Sequence, residues 1–282
     1  MQAPTPCSPR TPRGSPMESR TRNRRMFATI QTSLGSPFDS PCRSPRTPKR
    51  PEVKPVPCNE LLEELSKIAD ASADVSSKEL GALLLASLTT YGEEDLFRTA
   101  ESLCETALIH GCTHVVVDLL VATAALDSFK SAVSQQLMKV VPDFIFVEDT
   151  DYGGLPHFFA QILVARFPRP FNHTCDTSNK ILFTVFSTVK GWIEVLKDES
   201  EPKDDEEELM RIRCVEGIAG ICQAAGRRLW LCWPDLVDDI YVAIENVLVG
   251  DFKLAKNSKK ELLRLFVDIN KWPKTVDAKR WK

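Results

Sequence analysis

Residues 257–272 read NSKKELLRLFVDINKW, and this stretch decides the fold that we predict for most of the chain. Its large apolar side chains recur every three or four residues: Leu262, Leu263, Leu265, Phe266, Ile269 and Trp272. This spacing predicts an amphipathic helix with a broad apolar face. Two segments of the same kind precede it, at 207–225 and 234–249. Because no such helix can bury its apolar face alone, the three must stack on one another, as in a helical-repeat scaffold.

The same periodicity continues upstream and predicts seven more helices. These are 60–73, 80–90, 93–110, 115–126, 128–141, 155–167 and 179–197. Local signals mark several ends: Asn59 and either Asp176 or Thr177 are candidate N-caps, Gly111 is a candidate C-terminal residue, and Pro142 should end or kink its helix. No segment reads as a paired strand. The predicted fold is therefore all-α, a HEAT-like or armadillo-type repeat of antiparallel helix pairs with about ten helices.

Residues 1–57 differ in composition from the rest. They hold 11 of the Lys and Arg residues against three acidic ones, and 12 of the 19 prolines. Since the whole chain carries a net charge of −3, a basic segment of charge +8 precedes a body of charge −11. A segment so rich in proline and positive charge can bury too little apolar surface to offset the entropy that ordering would cost. This composition predicts a disordered arm. The expected organisation is an arm at 1–57, a helical domain at 58–275 and a short basic tail at 276–282.

Eight serine and threonine residues in the arm directly precede proline, the sequence that proline-directed kinases modify. The candidate phosphosites are Thr5, Ser8, Thr11, Ser15, Ser36, Ser40, Ser44 and Thr47. Each phosphate would add about −1.5 to −2 of charge, so that four or five would cancel the positive charge of the arm. The arm is therefore predicted to be a phosphorylated regulatory segment. The alternative is a solubilising tail in which the Ser-Pro and Thr-Pro pairs are incidental.

The nine cysteines form no CxxC pair, and the N-terminus has no apolar signal segment. Both features indicate a reducing compartment, the cytoplasm or also the nucleus, with thiols that fill the core. No apolar run approaches the length of about 20 residues that crosses a bilayer, so no membrane partner is expected.

The histidines and cysteines offer no convincing reactive site. Cys104, His110, Cys112 and His114 lie close in sequence, but Gly111 interrupts the helix between the two histidines, which favours an interhelical turn over a zinc site. Cys214 and Cys222 lie eight residues apart, on one helix face, as core thiols would. The sequence contains no P-loop, GxGxxG or GxSxG motif. We therefore predict a protein that is not an enzyme and needs no cofactor.

Two features indicate binding. Residues 91–97, YGEEDLF, have the Tyr-x4-Leu-apolar form of the motif recognised by the cap-binding initiation factor, with Tyr91, Leu96 and Phe97 as its key residues. Alternatively, Leu96 and Phe97 belong to the apolar face of their own helix. Basic residues also recur near the C-terminus, where they could contact RNA or an acidic partner, or could form a solvated face. The candidates are Arg227, Arg228, Lys253, Lys256, Lys259, Lys260 and Arg264.

The last three predicted helices also resemble a known family. Residues 257–272, preceded by 215–226 and 234–249, resemble the closing helices of the middle domain of eukaryotic initiation factor 4G, whose compact relatives often end in a leucine-rich helix followed by Trp. The resemblance covers about 58–275 by helix count and rhythm, and residue-level similarity is confined to the last third. It implies a domain of five HEAT-like helix pairs that binds proteins or RNA in translation. In that family the bound protein is often a DEAD-box helicase. The short single-domain regulators of the family are the better parallel.

These observations predict a non-enzymatic adaptor that regulates mRNA translation and is tuned by phosphorylation of its arm. Its expected partners are initiation factors, either the cap-binding factor or a DEAD-box helicase, or RNA-binding proteins, with RNA itself as a further candidate. The alternative is a generic HEAT-like or armadillo-like interaction module in signalling or transport.

Overall fold

The structure is a computed structural model that describes residues 53–69, 77–147, 151–169, 171, 177–250 and 252–272. Within these ranges the chain forms eleven α-helices and no strand, which confirms the predicted all-α fold. A 3-10 helix, Thr177–Asn179, precedes α7. The α-helices are α1 Cys58–Ala69, α2 Ser77–Leu88, α3 Glu93–Leu108, α4 Thr113–Ala122, α5 Asp127–Phe146, α6 Leu155–Val164, α7 Lys180–Lys197, α8 Asp205–Ala225, α9 Arg227–Cys232, α10 Pro234–Val249 and α11 Lys256–Ile269.

The helices form two layers, because most of them contact the helix two places along the chain. In the first layer α1, α3, α5, α7 and α10 lie side by side, and in the second layer α2, α4, α6, α8 and α11 do so. Contacts such as those of α3 with α4, α7 with α8 and α10 with α11 join the layers. This is the arrangement of a helix-pair repeat, in which each pair buries its apolar face against its neighbours.

An aromatic cluster surrounds Trp192 of α7 in the core. Its ring lies 5.6 Å from that of Phe144 in α5 and 5.8 Å from that of Phe159 in α6, measured between centroids. All three side chains are buried. Helix α7 also contacts α8 and α10.

Two glycines of α8 allow this close packing. A methyl group on Gly217 would lie 2.6 Å from the Trp192 ring, and one on Gly220 would lie 2.7 Å from Cβ of Pro156 in α6. Both distances are far below the normal carbon–carbon contact of about 3.5–4.0 Å. The two glycines therefore set how near α8 lies to α7 and α6.

Several predicted helix ends are wrong. The helix expected to stop at Val141 instead continues through Pro142 to Phe146. An internal proline costs about 3 kcal/mol or more. This last turn buries Phe144 and Ile145, and full burial of each is worth about 1.5–3 kcal/mol, enough to offset the proline.

The predicted N-caps need two corrections. Asn59 lies inside α1, which begins at Cys58, and its Oδ1 accepts a hydrogen bond from Arg98 at 3.4 Å. The cap of α7 is Asn179, whose Oδ1 accepts from the Leu182 amide at 3.3 Å. Thr177 instead begins the preceding 3-10 helix, and Asp176 lies outside the described residues. Gly111 does have the left-handed backbone expected after α3, with φ of +70°. The short helix α9 was not predicted at all.

None of the described helices combines the length and the apolarity that crossing a membrane requires.

Candidate functional site

The second layer carries an open groove between α8 and α11, with a volume of about 420 Å³. Gln223 of α8 donates to Glu261 Oε1 of α11 across it at 2.6 Å. Arg264 Nη1 lies 3.5 Å from Glu261 Oε2, and Lys271 pairs with Asp268 at 2.8 Å. The groove therefore presents carboxylates, cations and an amide that are only partly neutralised by one another.

A second groove, of about 470 Å³, follows on the other side of α8, between α8 and α6. His157 of α6 faces Arg213 and Glu216 of α8 here, and Arg213 Nη1 lies 3.0 Å from Glu216 Oε2. Gln223 lines both grooves, so the two grooves adjoin at this residue of α8. We call the two grooves together the grooved face, lined by His157, Arg213, Glu216, Gln223, Glu261, Arg264 and Asp268. Its mixture of acidic and basic side chains suits a polar segment of another protein better than a small apolar ligand.

A smaller cleft, of about 250 Å³, lies between α4 and α6. His114 and Asp118 of α4 face Gln161 and Arg166 across it, and Arg228 of α9 closes one side. His114 Nδ1 lies 3.7 Å from Asp118 Oδ2. This cleft is the most basic of the sites that we describe in the second layer.

The residues of the predicted cap-binding-factor motif contribute to the packing of the domain. Leu96 is buried in the core, and the Tyr91 hydroxyl donates to the Val56 carbonyl at 2.8 Å, where burial raises the pKa of the phenol. Phe97 is half-buried, with Lys139 Nζ 4.1 Å from its ring centroid. A partner could bind all three side chains only after the start of α3 had left the domain.

The predicted basic residues lie in separate places. Lys256, Lys259, Lys260 and Arg264 belong to α11, whose buried residues Leu262, Leu265 and Ile269 occupy the opposite face. Lys253 pairs with Glu201 in the loop before α8. Arg227 and Arg228 begin α9, and Arg228 lines a different cleft from Arg264. That these residues contact RNA or a partner stays a prediction.

One functional candidate was missed by the sequence analysis. Arg166 follows α6 and joins Arg228 in the cleft between α4 and α6. Arg228 Nη2 donates to the Val164 carbonyl at 3.2 Å, which places α9 against the end of α6 across 64 residues of sequence. No local pattern could show this proximity, because it is created by the packing of α9 on α6.

The eight candidate phosphosites, Thr5 to Thr47, lie outside the described residues, as does the tail at 276–282. Among the described side chains no group of three or more His, Cys, Asp and Glu residues could hold a metal ion. In the region considered for zinc, Cys104 is buried and the Cys112 thiol donates to the Ile68 carbonyl at 3.3 Å.

Cys214 and Cys222 are core thiols, as predicted. Burial raises the pKa of each to about 12, and it does the same for Cys104. Since the thiolate is the nucleophile, these three groups are almost entirely protonated and unreactive at neutral pH.

We expect iodoacetamide at pH 8 to leave Cys104, Cys214 and Cys222 unmodified in the native protein, while the half-buried Cys112 is alkylated. Mass spectrometry of tryptic peptides measures the labelling of each site, and the same reaction in denaturant should label all four. Labelling of the three buried thiols at the rate seen in denaturant would contradict this account of the core.

Comparison with known proteins places the chain in a family. The family described as "Repeat of unknown function (DUF7627)" matches residues 61–280. No curated protein and no solved structure matches the chain. The matched range includes nearly all of the helix array, from the second turn of α1 through α11. The chain therefore belongs to the DUF7627 family.

Proposed function

We propose that this protein is a non-enzymatic scaffold that regulates mRNA translation by binding a protein partner along the grooved face. The observation that carries the proposal is the pair of grooves that adjoin at Gln223 of α8 and are lined by both acidic and basic side chains. Helical repeats commonly use such extended surfaces for binding.

The assignment to translation depends on the resemblance of 257–272 and the helices before it to the middle domain of initiation factor 4G. The partner that we propose is an initiation factor, either the cap-binding factor or a DEAD-box helicase, or an RNA-binding protein. The arm at 1–57 is the regulatory part of the proposal: phosphorylation at its Ser-Pro and Thr-Pro sites would reverse its charge and so change which partners it attracts.

A charge reversal on the grooved face tests the proposal. The double variant Glu216→Lys/Glu261→Lys changes one carboxylate in each groove, and like charges would then face the cationic groups of a bound partner. We expect it to weaken partner binding at least about tenfold, or about 1.4 kcal/mol. The measurement is affinity purification of the full chain from cell extract, with and without RNase, followed by quantitative mass spectrometry.

The matched control is Glu63→Lys/Glu245→Lys, which makes the same change of net charge on the exposed surfaces of α1 and α10. We expect this control to recover initiation factors or RNA-binding proteins as the natural chain does. Equal losses in both variants would place the partner elsewhere. Recovery of only membrane-traffic or cytoskeletal proteins, unaffected by RNase and absent from ribosome fractions, would instead support the generic interaction module.

A further inference from the structure

The cleft between α4 and α6 holds two arginines that have no acidic partner among the residues that the structure describes. Arg166 and Arg228 both line it, and neither has a carboxylate within ion-pair distance in the described chain. The one acidic side chain of the cleft, Asp118, is instead 3.7 Å from His114 Nδ1. The two guanidinium groups therefore carry positive charge that the described residues leave largely uncompensated.

The positive charges of the two arginines both affect the Cys232 thiol. Burial raises the pKa of the Cys232 thiol, and the positive charges of Arg228 and Arg166 both oppose that rise, so both guanidinium groups lie near this sulfur.

The packing of α9 holds Arg228 in position. Arg228 uses Nη2 to bond the Val164 carbonyl at 3.2 Å, while the buried Trp233 at the end of α9 donates from Nε1 to the Leu163 carbonyl at 2.7 Å. The other N–H groups of Arg228 have no described acceptor. An anion entering the cleft would thus meet a guanidinium group that is already oriented, which lowers the entropic cost of binding.

Guanidinium groups bind phosphate through two parallel N–H···O bonds, and paired arginines are typical of sites that recognise phosphorylated side chains. Gln161 and His114 supply further polar groups at the cleft. The volume of about 250 Å³ suits a single phosphorylated side chain.

RNA is a poorer fit to this cleft. Sites for single-stranded nucleic acid follow the backbone over several nucleotides and stack bases on aromatic side chains. No Phe, Tyr or Trp is among the described residues that line the cleft, so no base could stack there.

We propose that the cleft between α4 and α6 binds a phosphorylated serine or threonine of a partner protein, with Arg166 and Arg228 as the phosphate ligands. This site is distinct from the grooved face, and the proposal does not depend on a role in translation.

The test uses a degenerate peptide library with a central phosphothreonine, the same library unphosphorylated, and an oligouridylate. Binding of each fluorescent probe to the full chain is followed by anisotropy. We expect the phosphorylated library to bind and its unphosphorylated form not to bind. The double variant Arg166→Gln/Arg228→Gln should lower the affinity at least about tenfold. The control Lys256→Gln/Lys260→Gln, which removes the same charge from α11, should change it by less than about twofold.

Arg228→Gln also removes the bond to Val164 and could destabilise α9, so the single variant Arg166→Gln is measured as well. Arg166 is exposed and makes no hydrogen bond or ion pair in the described chain, and this variant should fold normally by thermal unfolding. Its affinity should still fall several-fold. Three results would each overturn the proposal: binding independent of the phosphate, equal losses in the α11 control, or tighter binding of oligouridylate through the same two arginines.

Discussion

Replacing Gly217 with alanine is expected to lower the free energy of unfolding by about 2 kcal/mol, although alanine is the better helix former. In a helix interior this exchange normally gains about 1 kcal/mol. Here the new methyl group would lie 2.6 Å, 2.8 Å and 3.1 Å from three atoms of the Trp192 ring. That ring is held on other sides by Phe144 and Phe159, so α8 must move away. Overpacking of this kind costs about 1–3 kcal/mol, and more where the neighbours are rigid.

Gly191→Ala is the matched control for this exchange. Gly191 lies next to Trp192 on the exposed side of α7, and a methyl group there would meet nothing within 4 Å. We expect it to raise the free energy of unfolding by about 0.5–1 kcal/mol through helix propensity alone. Urea denaturation of the natural chain and both variants gives the comparison. If the two exchanges shift stability in the same direction, the close approach of α8 to α7 is not as described.

Periodicity was sufficient to predict the helices that have one continuous apolar face. Helix α10 begins at Pro234 and ends at Val249 as expected, because a proline favours its first turn and Gly250 follows its last. The end of α5 could not be predicted in this way. Pro142 is a strong local stop signal. The helix continues because the following Phe144 packs against Trp192, which lies 48 residues away in the sequence.

The candidate sites were much less predictable than the fold. The six residues of α9 are too few to show a helical period, so the position of Arg228 could not be inferred from sequence. Its proximity to Arg166 depends on α9 packing against α6. The grooved face likewise depends on the spacing of α6, α8 and α11. Gly220 helps to set this spacing, because it has no side chain and so lets Pro156 of α6 pack closely against α8. Such distances between helices leave no signature in a single segment.

Trp233→Ala is expected to have the largest effect on stability, a loss of about 3–5 kcal/mol. The indole is buried, its ring lies 5.3 Å from that of Phe186, and Nε1 donates to the Leu163 carbonyl at 2.7 Å. Trp233→Phe keeps most of the apolar surface but removes that donor. Since a buried carbonyl left without its partner costs about 1–3 kcal/mol, the phenylalanine variant should fall between the alanine variant and the natural chain.

Leu231→Ala is the control, since Leu231 lies in α9, two residues before Trp233, but is 61% exposed. Its effect should stay within about 0.5 kcal/mol. Urea denaturation measures the free energy of unfolding of the three variants.

The indole of Trp233 bonds the Leu163 carbonyl and so holds α9 against α6. Trp233→Phe should therefore weaken phosphopeptide binding while the protein remains folded, and the affinity for the phosphothreonine library measures whether Arg228 keeps its position. An unchanged affinity in that variant, together with normal stability, would mean that α9 is held by Arg228 and Leu229 rather than by the indole.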